Sequence, residues 1–324
     1  MKFSTILTYL RQLKLFKQTD DDQLRRFQMY SKVGLTFSEI QKRLKIREMT
    51  ALEFCQNHLK MKNRQNISPQ NMNQMMLIVD LYLALKKVNA NLIRKLQKEG
   101  VYPVLLILLG FCVSLVCLFY LYPMFNSMEI MDQPVSLSPY LFILLFVQIF
   151  FVIFMIVVMI IIGAIHQSST YRTLLIERIV SSKRESIIKN VILQYFALHL
   201  HYYLSIQEST RTLILFLRRA SLTRSTQWIS YQIFERLENG ISLSECVQNT
   251  LSDDDFNLFF DIGLQSNQLS AVLDEYMDLV NEKINERLQR LLKFVKLFGY
   301  FYVCLSMVGL FNLVTIPLSL VSAL

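Results

Sequence analysis

The chain has little glycine and little charge for its length. Only 8 of its 324 residues are glycine and 18% are charged, whereas a soluble domain normally carries about a quarter charged residues. So few glycines leave little material for phosphate-cradling loops or for the tight turns of a β-sandwich. These shortages disfavour a soluble enzyme, exclude a disordered chain and favour an all-helical fold.

Motifs of the common catalytic and metal sites are missing as well. The sequence contains no G-x-x-x-x-G-K-S/T, no G-x-S-x-G and no H-E-x-x-H. Its five cysteines form no C-x-x-C pair. His199 and His201 stand two residues apart, which points them to different sides of a helix. We therefore predict that the chain is not an enzyme and has no catalytic residue, metal site or cofactor.

Apolar side chains are abundant instead, at 53% of the chain, and they concentrate in three long stretches without charge. About 20 apolar residues are enough to cross the hydrocarbon core of a bilayer. Each of the three stretches is about that long or longer, so each predicts one membrane-spanning helix. The predicted spans are residues 104–125, 137–165 and 297–316.

The distribution of positive charge predicts how these spans are oriented. Residues 1–103 carry 19 Lys and Arg against 8 Asp and Glu, and residues 166–293 carry 14 against 15. The connection 126–136 carries two acids and no base. By the positive-inside rule, both long segments are cytoplasmic and the connection lies outside. We therefore expect a cytoplasmic N-terminus and a short extracytoplasmic end at 317–324.

Basic residues gather where the first and third predicted spans begin, together with a Tyr-Pro pair on the first. We call this set the boundary residues and expect them at the cytoplasmic mouth of the spans, near the lipid headgroups. They are Arg94, Lys95, Lys98, Tyr102, Pro103, Arg290, Lys293 and Lys296. Pro103 suits the first turn of a span, where a residue needs no backbone donor.

An internal similarity predicts two related helical modules, at 1–103 and 166–296. At an offset of 199 residues, Gly100 and Gly110 align with Gly299 and Gly309. Further upstream, Gly34-Leu-Thr-Phe-Ser-Glu39 is similar to Gly240-Ile-Ser-Leu-Ser-Glu245 at an offset of 206. We interpret the two short segments as helix starts, carried by Gly34, Ser38, Glu39, Gly240, Ser244 and Glu245.

Two runs of aspartate have two interpretations. Asp253–Asp255 follow Ser252, and Asp20–Asp22 follow Thr19. A Ser or Thr cap followed by acids in the first helical turn explains both runs. A cation site would need ligands converging from several turns, so we prefer the capping interpretation.

An acidic row is predicted on the helix that leads into the third span. Asp274, Asp278, Glu282 and Glu286 recur every four residues, and like charges at that spacing cost roughly 0.2 to 0.5 kcal/mol per pair. Such a row indicates either a cationic partner surface or an ordinary solvated face.

The architecture resembles the inner-membrane platform family of type II secretion systems and type IV pili (the GspF/PilC family). Gly240–Glu245 is similar to that family's G-x-S-L-x-x-A helix start, and Tyr102-Pro103 is similar to its Y-P at the first span. The family's G-E-x-x-G-x-L signature falls on Gly263–Leu269, with Leu264 in place of Glu and Asn267 in place of Gly. Asn tolerates the left-handed backbone that Gly would supply.

The resemblance implies an all-α protein of the bacterial cytoplasmic membrane, with two related cytoplasmic helical modules and three transmembrane helices. It also implies a non-catalytic, homo-oligomeric platform that binds a cytoplasmic assembly ATPase and pilin-like subunits, with competence DNA uptake among the family's roles. For the basic first module we expect contact with membrane lipids and no direct nucleic-acid binding, because no aromatic and basic interleaving supports it.

A membrane carrier or channel subunit is the alternative function. Such a protein would need polar groups that face inward between the spans. The modest candidates are Ser114, Asn126, Gln148 and Asn312.

Overall fold

A computed structural model describes most of the chain. The described residues are 22–44, 53, 72–121, 123–124, 169–204, 214, 217–218 and 222–321, together with part of the stretch 142–160. Within them every regular element is helical and none is a strand, which confirms the all-α prediction. Asp20, Asp21, Asn126 and the connection 126–136 lie outside the described residues.

Eight helices with defined bounds occur in the described part of the chain, and residues 22–32 are helical as well. The helices are α1 (Phe37–Leu44), α2 (Met72–Val116), α3 (Ser169–Val180), α4 (Ile187–Leu204), α5 (Arg224–Glu238), α6 (Leu243–Thr250), α7 (Asp254–Gln265) and α8 (Leu269–Val321). A π-helical turn, Cys117–Leu121, directly follows α2.

The chain divides into two compact units. The first, which we call the helical body, consists of Met1–Ala90 and Ile176–Lys283, and the second, the apolar unit, consists of Asn91–Leu175 and Ile284–Leu324. The helical body thus takes residues from both of the predicted modules. The division into two related modules stays a prediction.

Helix α4 lies at the core of the helical body. Its fully buried side chains include Leu193, Phe196 and Tyr203, and burial extends around the whole helix rather than along one stripe. Phe256 of α7 packs against Phe196 with 5.6 Å between ring centroids, and Tyr276 of α8 meets Phe256 edge to face at 5.0 Å. Apolar and aromatic contacts between α4, α7 and α8 therefore hold the body together.

The first predicted helix start is confirmed at Gly34. Gly34 has a φ of +86°, a backbone conformation that glycine adopts without a steric penalty. Helix α1 begins at Phe37, and the Thr36 N–H donates to the Glu39 carboxylate at 2.8 Å. That hydrogen bond, from a backbone donor, lowers the pKa of Glu39. Ser38 lies in the first turn of the helix.

The second predicted helix start shares the positive-φ glycine of the first, but its capping hydrogen bond runs in the opposite direction. Gly240 has a φ of +80° and closes α5, and the Ser242 side chain caps α6 by accepting from the Glu245 N–H. Ser244 lies in the first turn and donates to Asp261 of α7. The similarity of these two segments in sequence thus corresponds to a similarity in local backbone conformation.

The interpretation of Ser252 as a helix cap is wrong. Helix α7 is capped by Asp253, whose carboxylate accepts from the Phe256 N–H at 2.9 Å. Ser252 instead donates to the Ser181 carbonyl at 3.0 Å. Asp254 and Asp255 do lie in the first turn, where they complement the helix dipole as expected.

The turn between α7 and α8 confirms the left-handed residue predicted there. Asn267 has a φ of +55° and is the one non-glycine residue with positive φ in the described chain. Gly263 lies close to the next helix, because a Cβ on it would stand 2.9 Å from the Leu269 Cα. The small residue thus allows α7 and α8 to approach each other closely.

We predict that Gly240→Ala destabilises the helical body by about 1 kcal/mol, because the left-handed conformation costs an L-residue with a Cβ roughly 1 to 2 kcal/mol. No neighbouring atom lies within 4 Å of an added Cβ, so the loss comes from the backbone alone. Gly240→Asn is the matched control and is expected to lose less. Thermal unfolding of the detergent-purified chain measures both, and an Ala variant as stable as the original would contradict this account.

Candidate functional site

The boundary residues all lie in the apolar unit, where α2 and α8 pack side by side in parallel. Gly100 faces Leu292, with 3.7 Å from an added Cβ, and Gly110 faces Tyr302, with only 2.8 Å. Lys95 donates to Asn285 at 2.9 Å. Residues further along α2 therefore contact residues further along α8, so the two helices run in the same direction. Small residues at such positions let two helix backbones approach closely.

The charged parts of α2 and α8 end at the same level of this helix pair. The last charged residue of α2 is Glu99, and that of α8 is Lys296. Just beyond them, the Tyr102 and Tyr300 hydroxyls lie 3.0 Å apart. The change from charged to apolar sequence is therefore in register between the two helices. We call this level the charge boundary.

Three of the side chains at the charge boundary form a compact group, which we call the tyrosine–lysine cluster. The Tyr102 and Tyr300 rings meet edge to face with 6.3 Å between centroids. The Lys296 ammonium lies 5.3 Å from the Tyr102 centroid and 5.8 Å from the Tyr300 centroid. A cation within about 6 Å of an aromatic face is attracted to it, so residues from both helices hold this ammonium.

Beyond the charge boundary, apolar side chains cover the outside of both helices. Leu105 is 57% exposed and Phe301 is 64% exposed. Two helical segments, Met76–Leu121 and Leu269–Asn312, are long and apolar enough to cross a membrane, and 17% and 22% of their most apolar stretches are buried. A core helix of a soluble protein would be mostly buried, so these helices present their apolar surface outward. The span at 137–165 stays a prediction.

The interpretation of Pro103 as a first-turn residue is wrong. It lies inside α2, which begins at Met72 and runs without interruption to Val116. Inside a helix, proline removes the hydrogen bond to the carbonyl four residues earlier, which is that of Glu99. The carbonyl that loses its helical hydrogen bond thus belongs to the last charged residue of α2. It lies on the charged side of the charge boundary, not among the apolar side chains beyond it.

A buried polar group joins three apolar segments beyond the boundary. Ser114 of α2, Gln148 of the second uncharged stretch and Tyr302 of α8 are 0%, 7% and 2% exposed. The Tyr302 hydroxyl donates to the Gln148 Oε1 at 2.7 Å, and the Ser114 Oγ lies 2.6 Å from the same atom. Nearby, Ser306 donates to the Gly110 carbonyl at 3.1 Å. We call Ser114, Gln148 and Tyr302 the polar node.

The polar node accounts for two of the four polar residues singled out in the sequence. Ser114 and Gln148 bond to each other and to Tyr302 rather than standing alone. Asn312 donates to the Val308 carbonyl of its own helix at 3.0 Å. Tyr302 is not predicted from the sequence, because nothing local shows which segment its hydroxyl faces. The node thus acts as an interhelical hydrogen-bonded contact of the kind that joins apolar helices.

The acidic row is partly paired. Asp274 lies 3.3 Å from the His201 imidazole, and Glu286 pairs with Arg290 at 3.1 Å. Asp278 and Glu282 are exposed, and neither has a hydrogen-bond or ion-pair partner among the described residues. These two carboxylates are therefore the part of the row that is open to a partner molecule.

Other buried polar groups of the helical body serve its packing. The Lys189 ammonium is fully buried and donates to the Ser182 and Ser252 carbonyls, each at 2.7 Å. Burial lowers the pKa of Lys189, and the nearby Asp253 and Asp254 carboxylates partly oppose that shift. Lys189 thus ties together the two loops that precede α4 and α7.

His199 also has a structural role. Its Nδ1 lies 2.6 Å from the Tyr195 carbonyl, and its Nε2 accepts from the Leu222 N–H at 3.1 Å, so both ring nitrogens are engaged. Within the described residues, no group of three or more His, Cys, Asp or Glu side chains could hold a metal ion. Asp255 of the aspartate run pairs with Lys283.

No family model, curated protein or solved structure matches this chain.

We predict that Gly110→Ala lowers the melting temperature of the purified chain, because the added methyl group would meet the Tyr302 ring. Overpacking of this kind typically costs about 1 to 3 kcal/mol. Gly100→Ala is the matched control on the same helix, since its nearest contact of 3.7 Å is ordinary van der Waals distance, and it is expected to be neutral or stabilising. Equal melting temperatures for the two variants would contradict the close packing of α2 on α8.

Proposed function

We propose that this chain is an integral membrane platform, a scaffold that couples a cytoplasmic assembly ATPase to the extraction and polymerisation of pilin-like subunits. In this proposal residues 104–125, 137–165 and 297–316 cross the bacterial cytoplasmic membrane. The N-terminus is then cytoplasmic and residues 317–324 lie outside. The filament would belong to a type IV pilus-like or type II secretion-like machine, with DNA uptake as one such use.

The observation that carries the proposal is the continuity of α2 and α8. Each helix begins in the helical body and continues unbroken past the charge boundary into apolar sequence. The backbone hydrogen bonds of α8 run through the charge boundary, and those of α2 do so except for the one that Pro103 removes. A force applied to the charged part of either helix can therefore pass along its backbone to the apolar part. A scaffold that passes movement from a soluble motor to membrane-embedded subunits needs such a connection.

The motif content of the chain supports a role without catalysis. Its sequence has no nucleotide-hydrolysing loop, so energy for assembly would come from the partner ATPase. The exposed carboxylates Asp278 and Glu282, on the cytoplasmic part of α8 in this proposal, are the surface that we assign to that partner. A homo-oligomer would present several copies of this surface to one motor.

The alternative function, a membrane carrier or channel subunit, has one observation in its favour. The polar node places Ser114, Gln148 and Tyr302 together inside the apolar unit, and transport pathways are lined by polar groups. Flux of solute into liposomes that contain only this chain would favour the carrier. Crosslinking of a pilin-like transmembrane helix to α2 or α8 would favour the platform.

We predict that the double variant Asp278→Lys with Glu282→Lys reduces capture of the assembly ATPase about tenfold. That loss corresponds to roughly 1.4 kcal/mol of binding free energy for two reversed surface charges. The measurement is a pulldown by the full-length chain of the assembly ATPase encoded in the same genome.

The matched control is Glu235→Lys with Glu238→Lys, which reverses two exposed carboxylates on α5 and changes the net charge equally. This control is expected to capture the ATPase as the original chain does. If both double variants recover the same amount of ATPase, Asp278 and Glu282 are not the binding surface. If the original chain captures no ATPase, the platform function is contradicted.

A further inference from the structure

The tyrosine–lysine cluster holds a cation that no carboxylate of the described residues neutralises. Lys296 lies over the faces of the Tyr102 and Tyr300 rings, and it has no carboxylate partner among the described residues. The two tyrosines are 49% and 42% exposed, so the cluster lies at the surface of the apolar unit. Its ammonium is fixed by residues from two helices and remains accessible to an anion.

The cluster also has unused hydrogen-bond donors. The two tyrosine hydroxyls face each other at 3.0 Å, and only one proton can lie between them. The proton of the other hydroxyl therefore points away from the pair. The Lys296 ammonium has three N–H donors, and interaction with ring faces uses charge rather than specific acceptors. A ligand with several anionic oxygens would match this set of donors.

The surrounding charge has the sign that such a ligand requires. The part of α2 that belongs to the apolar unit carries three Lys and Arg, and the corresponding part of α8 carries four. Against these seven bases stand two acids, Glu99 and Glu286. Glu286 is paired with Arg290. On the other side of the charge boundary the exposed side chains are apolar, as Leu297 at 67% exposure illustrates. A ligand here meets positive charge on one side and hydrocarbon-like surface on the other.

We propose that the tyrosine–lysine cluster binds the phosphate of an anionic phospholipid headgroup, with the acyl chains lying along the exposed apolar side chains beyond it. A free phosphate shares the anionic oxygens but not the acyl chains. This inference rests on the membrane placement proposed above. It assigns to Lys296 a defined binding role, distinct from the general attraction of basic residues to an anionic surface.

The test is a lipid titration of the detergent-purified full chain, followed by native mass spectrometry. The probes are phosphatidylglycerol and, as the zwitterionic comparison, phosphatidylcholine. Lys296→Gln is expected to weaken phosphatidylglycerol binding about tenfold, and Tyr102→Phe with Tyr300→Phe is expected to weaken it less. Lys293→Gln is the matched control, an exposed lysine one turn earlier on α8 that lies outside the cluster, and it is expected to change binding less than twofold.

Three results would overturn the inference. If Lys296→Gln and Lys293→Gln weaken phosphatidylglycerol binding equally, the lipid is attracted by the general positive charge and not by the cluster. Equal binding of the two lipids would remove the role of the anionic headgroup. Displacement of phosphatidylglycerol by millimolar glycerol phosphate would identify a soluble phosphate as the ligand. Melting temperatures show whether each variant is folded, and the ATPase pulldown is independent of all three results.

Discussion

The register between α2 and α8 at the charge boundary is the constraint on which the rest of the structure depends. Both helices change from charged to apolar sequence at the level of the Tyr102 and Tyr300 contact. Leaving a large apolar side chain in water rather than burying it costs roughly 1.5 to 3 kcal/mol. The many exposed apolar side chains on one side of this level are therefore unfavourable in water and favourable in lipid. A bilayer that begins at the charge boundary would cover the exposed apolar side chains of both helices and leave their charged parts in water.

Close packing and hydrogen bonds then join the apolar helices to each other. Lipid surrounds apolar helices as favourably as neighbouring helices do, so association depends on small residues and on polar contacts. Gly110 supplies the close approach to Tyr302, and the polar node adds hydrogen bonds that reach a third segment through Gln148. In a platform, these contacts would keep the membrane part in one arrangement while a partner acts on the helical body.

Features that depend on neighbouring residues could be predicted from the sequence, and features that depend on distant partners could not. The helix starts at Gly34 and Gly240 and the left-handed Asn267 follow from local backbone preferences, and the structure confirms them. The sequence predicts Ser252 as the cap of α7, whereas the structure has Asp253 there, since two adjacent residues both suit a cap and tertiary contacts choose between them. The hydroxyl partners of Tyr302 lie more than 150 positions away in the chain, so no local pattern could indicate them.

The most direct test of the membrane placement uses two natural thiols. Cys112 and Cys304 are exposed on the apolar helices, and both lie beyond the charge boundary. Open membrane fragments that contain the chain are treated with a membrane-impermeant maleimide, and the modified peptides are mapped by mass spectrometry, with Lys183→Cys on the exposed surface of the helical body as the accessible control. The account predicts that the control is modified while Cys112 and Cys304 react only after detergent dissolves the bilayer. Modification of both thiols at the rate of the control would contradict it.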